Sequence, residues 1–411
     1  MGRRFRMGNY RFHTPDGVSD MLPEECRTKR ELEQKLRTLF SLSGYQEIET
    51  PGIEFFDVFA SGDFVSQENL YKLCDQEGRI LSLRYDGTVP AARLAATLFK
   101  DTPPPLRLSY VENMYRFRES GGGRQREFCQ AGIELLGLSS TQADAEVIAL
   151  AISSALEIGV TDLQISIGQS EFFKGLMEEW NIPAEDAGEI SRHIDQKDTV
   201  ALEKAADRYG LSSAAKETLL LIPALFGTYD TLEIFDNRVE NPRSKEALRN
   251  VREILDILDD YGYTKYVTVD LGMLRSLDYY TGMIFKGFTY EVGFPIISGG
   301  RYDRVVSVFG RDLAAVGFSL SLNLCMTALR RQDKEFAQVP IDTVIGYSDK
   351  PGMRRLALSM AKDLRSEGLI TLVDCEGMNE EDLRLFAESR DIEQMVFLDD
   401  EDCGCEEEDE K

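Results

Sequence analysis

Met-Leu-Arg-Ser-Leu-Asp-Tyr-Tyr-Thr-Gly-Met-Ile-Phe, residues 273–285, is the densest chemical stretch of the 411-residue chain. Within it, Arg275, Asp278, Tyr279 and Tyr280 supply a guanidinium, a carboxylate and two phenols. An arginine fork meets a carboxylate through two hydrogen bonds. On an extended segment neighbouring tyrosines point to opposite faces, so one is expected to pack while the other lines a pocket. A site for a small zwitterion needs these groups. The plainer reading is an Arg–Asp pair at a strand start, with both tyrosines filling core.

The length allows two or three domains, and an apolar content of 43% is ordinary for a globular protein. The formal charge is −25, from 47 basic and 72 acidic residues. Phosphate binding is led by Lys and Arg, so broad nucleic-acid affinity is not expected. No run of about 18 apolar residues suggests a membrane span. Arg3, Arg4 and Arg6 are followed by Asn9, Tyr10 and Arg11 rather than an apolar segment, so no signal peptide is expected. Seven scattered cysteines suit reduced thiols in a cytoplasm. Cys403-Gly-Cys405 has no second pair beside it, and the chain has only two histidines, so no metal site is expected.

Residues 1–24 read as an irregular arm with a turn at Thr14-Pro15-Asp16-Gly17. A helix follows from Pro23 to about Ser43, with Leu32, Leu36, Leu39 and Phe40 at helical spacing and Gly44 ending it. Tyr45–Pro51 reads as a strand. Leu81–Arg93 reads as a short strand, an Asp86-Gly87 turn and a helix with Thr88 at its N-cap position. This turn presents a carboxylate and a hydroxyl, or it is simply a cap. Met114–Gly137 reads as two strands around a Ser120–Gly123 loop. Alternation puts Arg116 and Arg118 on one face, and Phe128, Gln130, Gly132 and Glu134 together on the return strand. Arg116, Gln130 and Glu134 then meet at one pocket, or the hairpin is exposed and salt-bridged.

Further on, a helix is expected over Asp144–Gly159 and strands over Asp162–Ile167, Val267–Leu271 and Phe285–Val292. Residues 170–262 read as almost wholly helical. Ser298-Gly299-Gly300 lets backbone approach a ligand or cross under a strand. Beyond a charged linker, strands at Ile341–Ile345, Ile370–Val373 and Met395–Leu398 alternate with helices at Met353–Glu367 and Glu380–Ser389. Residues 399–411 carry nine acids and one Lys, and read as a disordered tail.

Leu274-Arg-Ser-Leu-Asp-Tyr-Tyr280 resembles the Arg-Gly-Leu-Asp-Tyr-Tyr signature of histidyl-tRNA synthetases and their paralogues. The unit at 23–51 is similar to motif 1 of class II synthetases, and the hairpin at 114–137 to motif 2. Pro295–Asp303 and Gly317–Cys325 resemble the approach to motif 3 and its remnant. The resemblance spans roughly residues 10–330, with a weaker echo to 398. It implies an α+β fold: an antiparallel synthetase-like sheet flanked by helices. A helical insertion at about 170–262 would interrupt a core of residues 1–330. A small α/β domain at 340–398 would resemble a shortened anticodon-binding domain.

The resemblance also sorts the residues. It implies a histidine pocket of Asp86, Thr88, Arg116, Gln130, Glu134, Arg275, Tyr279 and Tyr280. Asp86 replaces the family's Glu in Glu-Gly-Thr, shortening the reach by one methylene. The ATP side departs further. Arg118 stands for a Glu, Leu324 for the Arg that holds the γ-phosphate, Asn323 for a Glu and Ser321 for a Gly, while Arg124 and Arg126 remain. An intact amino-acid side with a broken nucleotide side points to the non-aminoacylating branch, the regulatory subunits of ATP phosphoribosyltransferase. That branch implies no catalytic residue and no cofactor. Its expected partners are a short-form catalytic subunit, a second copy of this chain within a hetero-octamer, and L-histidine, but not tRNA. The alternatives are an active histidyl-tRNA synthetase, separable by adenylation chemistry, and a paralogue serving another pathway, separable by the amino acid it binds.

Overall fold

The computed structural model describes residues 12–62, 65–117, 125–274, 279–332 and 340–399. The described residues fall into two compact units, divided between 335 and 336.

In the first unit, α1 (Pro23–Leu42) starts on a proline followed by Glu24 and Glu25, and buries Leu32, Leu36 and Phe40 along one face. The strand expected after it is short. β1 covers only Gln46–Glu47, because the Thr50 amide and hydroxyl turn to the Glu112 carboxylate at 2.5 and 3.0 Å. Next come β2 (Ile53–Phe55), α2 (Phe56–Ala60), β3 (Lys72–Cys74) and β4 (Ile80–Leu83). The three strands form a small antiparallel sheet in the order β2-β4-β3. After α3 (Thr88–Thr97), the hairpin of β5 (Leu106–Tyr115) and β6 (Glu127–Leu136) pairs along its full length.

α4 (Thr141–Glu157) is capped by Ser140, which accepts from the Ala143 amide at 3.3 Å. β7 (Leu163–Gln169) then leads into the insertion. It consists of α5 (Ser170–Glu179), α6 (Ala184–Asp195), α7 (Thr199–Arg208), α8 (Ser213–Leu221), α9 (Tyr229–Asp236) and α10 (Pro242–Asp260). The sheet resumes with β8 (Val267–Val269), β9 (Met283–Thr289) and β10 (Ile297–Arg301). α11 (Arg304–Ser307), β11 (Ala315–Ser321) and α12 (Leu322–Arg331) complete the unit.

The main sheet runs β1-β5-β6-β11-β10-β9-β7-β8. Its interior pairs are antiparallel, and only the outermost pairs, β1–β5 and β7–β8, are parallel. In the second unit β12 (Thr343–Tyr347), β13 (Thr371–Val373) and β14 (Gln394–Leu398) form a parallel sheet in the order β13-β12-β14. α13 (Met353–Ser366) packs on Ile345 and Leu398, while α14 (Glu380–Ser389) packs on the opposite face against Val344. Adjacent residues of β12 thus serve the two helices, as strand alternation requires.

Candidate functional site

The central strands are in register, so side chains line up in rows across one face of the sheet. One row runs Leu108, Glu134, Gly317, Gly300, Ile284, and the next runs Tyr110, Gly132, Ser319, Ser298, Lys286. Three glycines in these rows make room. A β-carbon on Gly132 would lie 2.5 Å from the Tyr110 hydroxyl, and one on Gly300 would lie 2.7 Å from the Tyr280 ring. One on Gly317 would fall on the Glu134 carboxyl. Above the rows is a cavity of about 480 Å³, lined by Asp86, Thr88, Arg116, Tyr279 and Tyr280 among others.

Asp86 follows β4. Its Oδ1 accepts from the Val89 amide at 3.0 Å, so Asp86, not Thr88, caps the start of α3. Burial raises the Asp86 pKa above the ordinary carboxylate value, while the α3 amide and Arg116 pull the other way. Arg116 stacks its guanidinium over the rings of Tyr85 (4.7 Å) and Phe128 (5.0 Å). Its Nε donates to the Tyr85 carbonyl at 3.4 Å.

Tyr279 and Tyr280 both line the cavity, contrary to the expected alternation. The chain there is not a strand, because β9 begins only at Met283. The two rings meet edge to face at 4.8 Å, and Tyr279 lies 5.8 Å from Tyr302. Burial pushes both phenols above their ordinary range.

Glu134 is 1% exposed and stands behind Gly317 rather than in the lining. Its carboxyl accepts from the Tyr110 hydroxyl at 3.3 Å and from the Tyr302 hydroxyl. Burial pushes it well above the carboxylate range, against hydrogen bonds from Thr88 and Tyr110. Gln130 lines an adjoining chamber of about 150 Å³ that shares Arg116, Ser298 and Ser319 with the main cavity. Its amide nitrogen donates to Ser319 at 3.3 Å, and its buried carbonyl oxygen has no donor among the described residues.

Leu324 lines the same chamber beside Phe128 and Phe294. Asn323 is taken up structurally: it accepts from the Cys129 amide at 2.8 Å and donates to Gln125 at 2.6 Å. Arg126 holds the arm, its amide donating to the Gly17 carbonyl at 2.6 Å. Arg275, Asp278, Arg118 and Arg124 lie outside the described residues.

Among the polar lining residues, Tyr85, Lys286, Ser319 and Tyr302 were not expected at a pocket from sequence. Tyr302 belongs to the Pro295–Asp303 stretch, two residues after the Ser298-Gly299-Gly300 run. Lys286, a charge within an apolar strand, was the available signal for its side of the cavity. Below the wall, Arg301 donates from Nε and Nη2 to Asp144 of α4 at 3.0 and 2.6 Å, and from Nη1 to the Leu138 carbonyl at 3.0 Å. Its own carbonyl accepts from the Thr281 amide at 2.8 Å, tying the tyrosine segment to β10.

The chain matches a family model described as histidyl-tRNA synthetase over residues 17–324. It is 46% identical over 397 residues to an ATP phosphoribosyltransferase regulatory subunit of Acetivibrio thermocellus, covering 96% of this chain and 94% of the relative. A protein of the same description from Ruminiclostridium cellulolyticum is 45% identical over 399 residues, with coverage of 96% and 94%. Among solved structures, an ATP phosphoribosyltransferase regulatory subunit/histidyl-tRNA synthetase from Bacillus halodurans superposes with a TM-score of 0.84 at 31% identity, covering 94% of this chain and 98% of that one. A histidyl-tRNA synthetase from a Nostoc species reaches 0.79 at 22% identity, with coverage of 93% and 90%, a likeness of fold. The architecture is that of the class II synthetases.

Proposed function

This chain belongs to the histidyl-tRNA synthetase family, among the ATP phosphoribosyltransferase regulatory subunits, and from that premise we propose that it is the non-catalytic, histidine-sensing chain of such an enzyme. It assembles with a short-form catalytic chain that joins ATP to phosphoribosyl pyrophosphate, the first step of histidine biosynthesis. It is required for that activity and carries its feedback inhibition by histidine. Dimers of this chain sit within a hetero-octamer in the cytoplasm. No helix among the described residues is long and apolar enough to cross a membrane.

One observation supports the sensing role above others. Asp86, Thr88, Arg116, Tyr279 and Tyr280 share one cavity, while Leu324 lines the chamber beside it, where the resemblance expects a phosphate-binding guanidinium. The ammonium of histidine goes to Asp86 and Thr88, and its carboxylate to Arg116. The buried Gln130 carbonyl accepts a ligand N–H, and Glu134 backs the tyrosine wall. Arg275 shapes the pocket or the interface. An isobutyl group at 324 supplies none of the charge-assisted contact that adenylation needs.

Histidine controls the complex only if it binds one state more tightly than another. A coupling of about 1–3 kcal/mol is enough. The test is histidine-dependent exchange of labelled pyrophosphate into ATP by the purified chain. No exchange is expected, followed by a gain of phosphoribosyl transfer when a short catalytic chain is added. Exchange well above a histidine-free control would make the chain an active synthetase.

A further inference from the structure

α13 is the basic element of the small unit. Residues 340–399 carry seven basic residues, and five of them, Lys350, Arg354, Arg355, Lys362 and Arg365, lie on α13 or in the loop before it. Arg354, Arg355, Leu358, Lys362 and Arg365 are exposed, and helical spacing puts them on one outward stripe, away from the buried Met353, Ala357 and Ala361. Arg354, Arg355 and Lys362 form no ion pair among the described residues, and Arg365 donates to the Thr371 carbonyl at 2.8 Å. The first turn of α13 has no acidic residue, so Arg354 and Arg355 add to the positive end of the helix dipole.

Leu398 ends β14 beside Tyr347 of β12. Asp399 then accepts from the Ser348 hydroxyl at 3.2 Å and pairs with Lys350. The chain therefore leaves the described residues beside the first turn of α13. Residues 400–411 carry eight acids and one Lys. The acids form two runs, Asp400–Asp402 and Glu406–Glu410, parted by Cys403-Gly404-Cys405. α13 has the same pattern with opposite sign. Lys350, Arg354 and Arg355 come first, then Leu356 and Leu358, 39% and 53% exposed, then Lys362 and Arg365. Helical rise sets Arg355 and Lys362 about 10 Å apart along the axis. An extended chain from Asp402 to Glu406 spans about 13 Å. Two acid runs can thus meet two basic clusters in the order in which the chain reaches them.

We propose that residues 400–411 lie along the outward stripe of α13 in the same chain, with Asp400–Asp402 over Arg354 and Arg355 and Glu406–Glu410 over Lys362 and Arg365. A single exposed ion pair contributes little. Here a run of one sign faces a run of the other, and the short tether from Asp399 holds the acids at high effective concentration beside the helix. In that position the segment offsets the charge of α13 and occupies the face that a separate acidic partner would otherwise take. The contact stands apart from the histidine-sensing role.

The experiment is zero-length carbodiimide crosslinking of the full chain, which joins a lysine amine to a carboxylate in direct contact, read by peptide mapping. Lys362 is expected to join the Glu406–Glu410 run, in material that keeps single-chain mass on a denaturing gel. The yield should fall about fivefold or more in the double variant Arg354→Glu/Arg355→Glu, and likewise in about 0.5 M salt, where screening acts within a few ångströms. A second measurement leaves α13 untouched. Acetylation of the Lys362 amine should run about threefold faster or more in a chain truncated after Asp399, while that of Lys204, exposed on α7, stays the same. Absence of a Lys362 crosslink, or crosslinks spread evenly over the exposed lysines, overturns the proposal. So does a yield that neither salt nor the variant lowers, or Lys362 acetylation that truncation leaves unchanged. A Lys362 crosslink found only at twice the chain's mass also overturns it, because the segment would then lie on a second copy.

Discussion

Glu134 sits where a charge is least favourable, in the sheet and behind a glycine, with phenol hydroxyls for partners. Burial raises its pKa in the folded chain above the unfolded value of about 4.3. The folded state therefore binds more protons than the unfolded state from that pH upward, and stability falls as pH rises through the window. Glu134→Gln keeps the shape and removes the titration. Its Tm is expected to match the wild type near pH 4 and to exceed it by a growing margin as the pH is raised from there. Equal Tm at every pH would mean that Glu134 is ionised at no penalty. Tyr279 tests the pocket itself. Tyr279→Ala should raise the histidine needed for half-inhibition of the reconstituted enzyme by about tenfold or more, or ~1.4 kcal/mol. The variant should still elute with its catalytic partner on size exclusion. Unchanged inhibition would remove Tyr279 from the pocket. Neither Tyr110 nor Tyr302 was legible as a partner of Glu134, because they come from β5, β6 and the residue after β10, and only the pairing of the sheet brings them together.

At the level of elements, the Arg301–Asp144 pair joins β10 to α4 beneath the tyrosine wall. The pair is lopsided. Arg301 has Asp144, Asp303 and the Leu138 carbonyl as acceptors, and pairing raises its pKa against the effect of burial. Asp144 has one guanidinium, and burial pushes it up to about 6 despite that partner. Asp144→Ala would take two of the Arg301 hydrogen bonds and leave the guanidinium with Asp303 and the Leu138 carbonyl, so a loss of about 1–3 kcal/mol is expected in urea denaturation. A loss below ~1 kcal/mol, the scale of an exposed pair, would show that water reaches Arg301 freely. The helices around this pair were legible because their apolar spacing and caps are local. α1 and α4 start and stop within three residues of expectation. The strand after α1 was not, because Glu112, 62 residues away, takes the Thr50 amide that a longer strand would have paired.

Over the whole molecule, 72 acidic against 47 basic residues leave a field that repels polyanions. The chain is expected to leave tRNA mobility unshifted in gels at about 0.15 M salt, where distant charges are screened within ~8 Å. A specific shift would reveal a basic footprint that composition hides. The sequence by itself determined the family and elements such as α1, the β5–β6 hairpin, α4 and the helical run after β7, because caps, periodicity and four ordered motifs are written along the chain, while β2, β3, β10 and β11 went unread. Only the tertiary structure decided which side chains meet. It brought both tyrosines into one cavity, put Glu134 behind the wall, gave the cap of α3 to Asp86 and aligned Lys286 with two serines. The place of Glu134 and the alignment of Lys286 depend on strand register, which is set by pairing between residues far apart in the chain and leaves no local pattern to read.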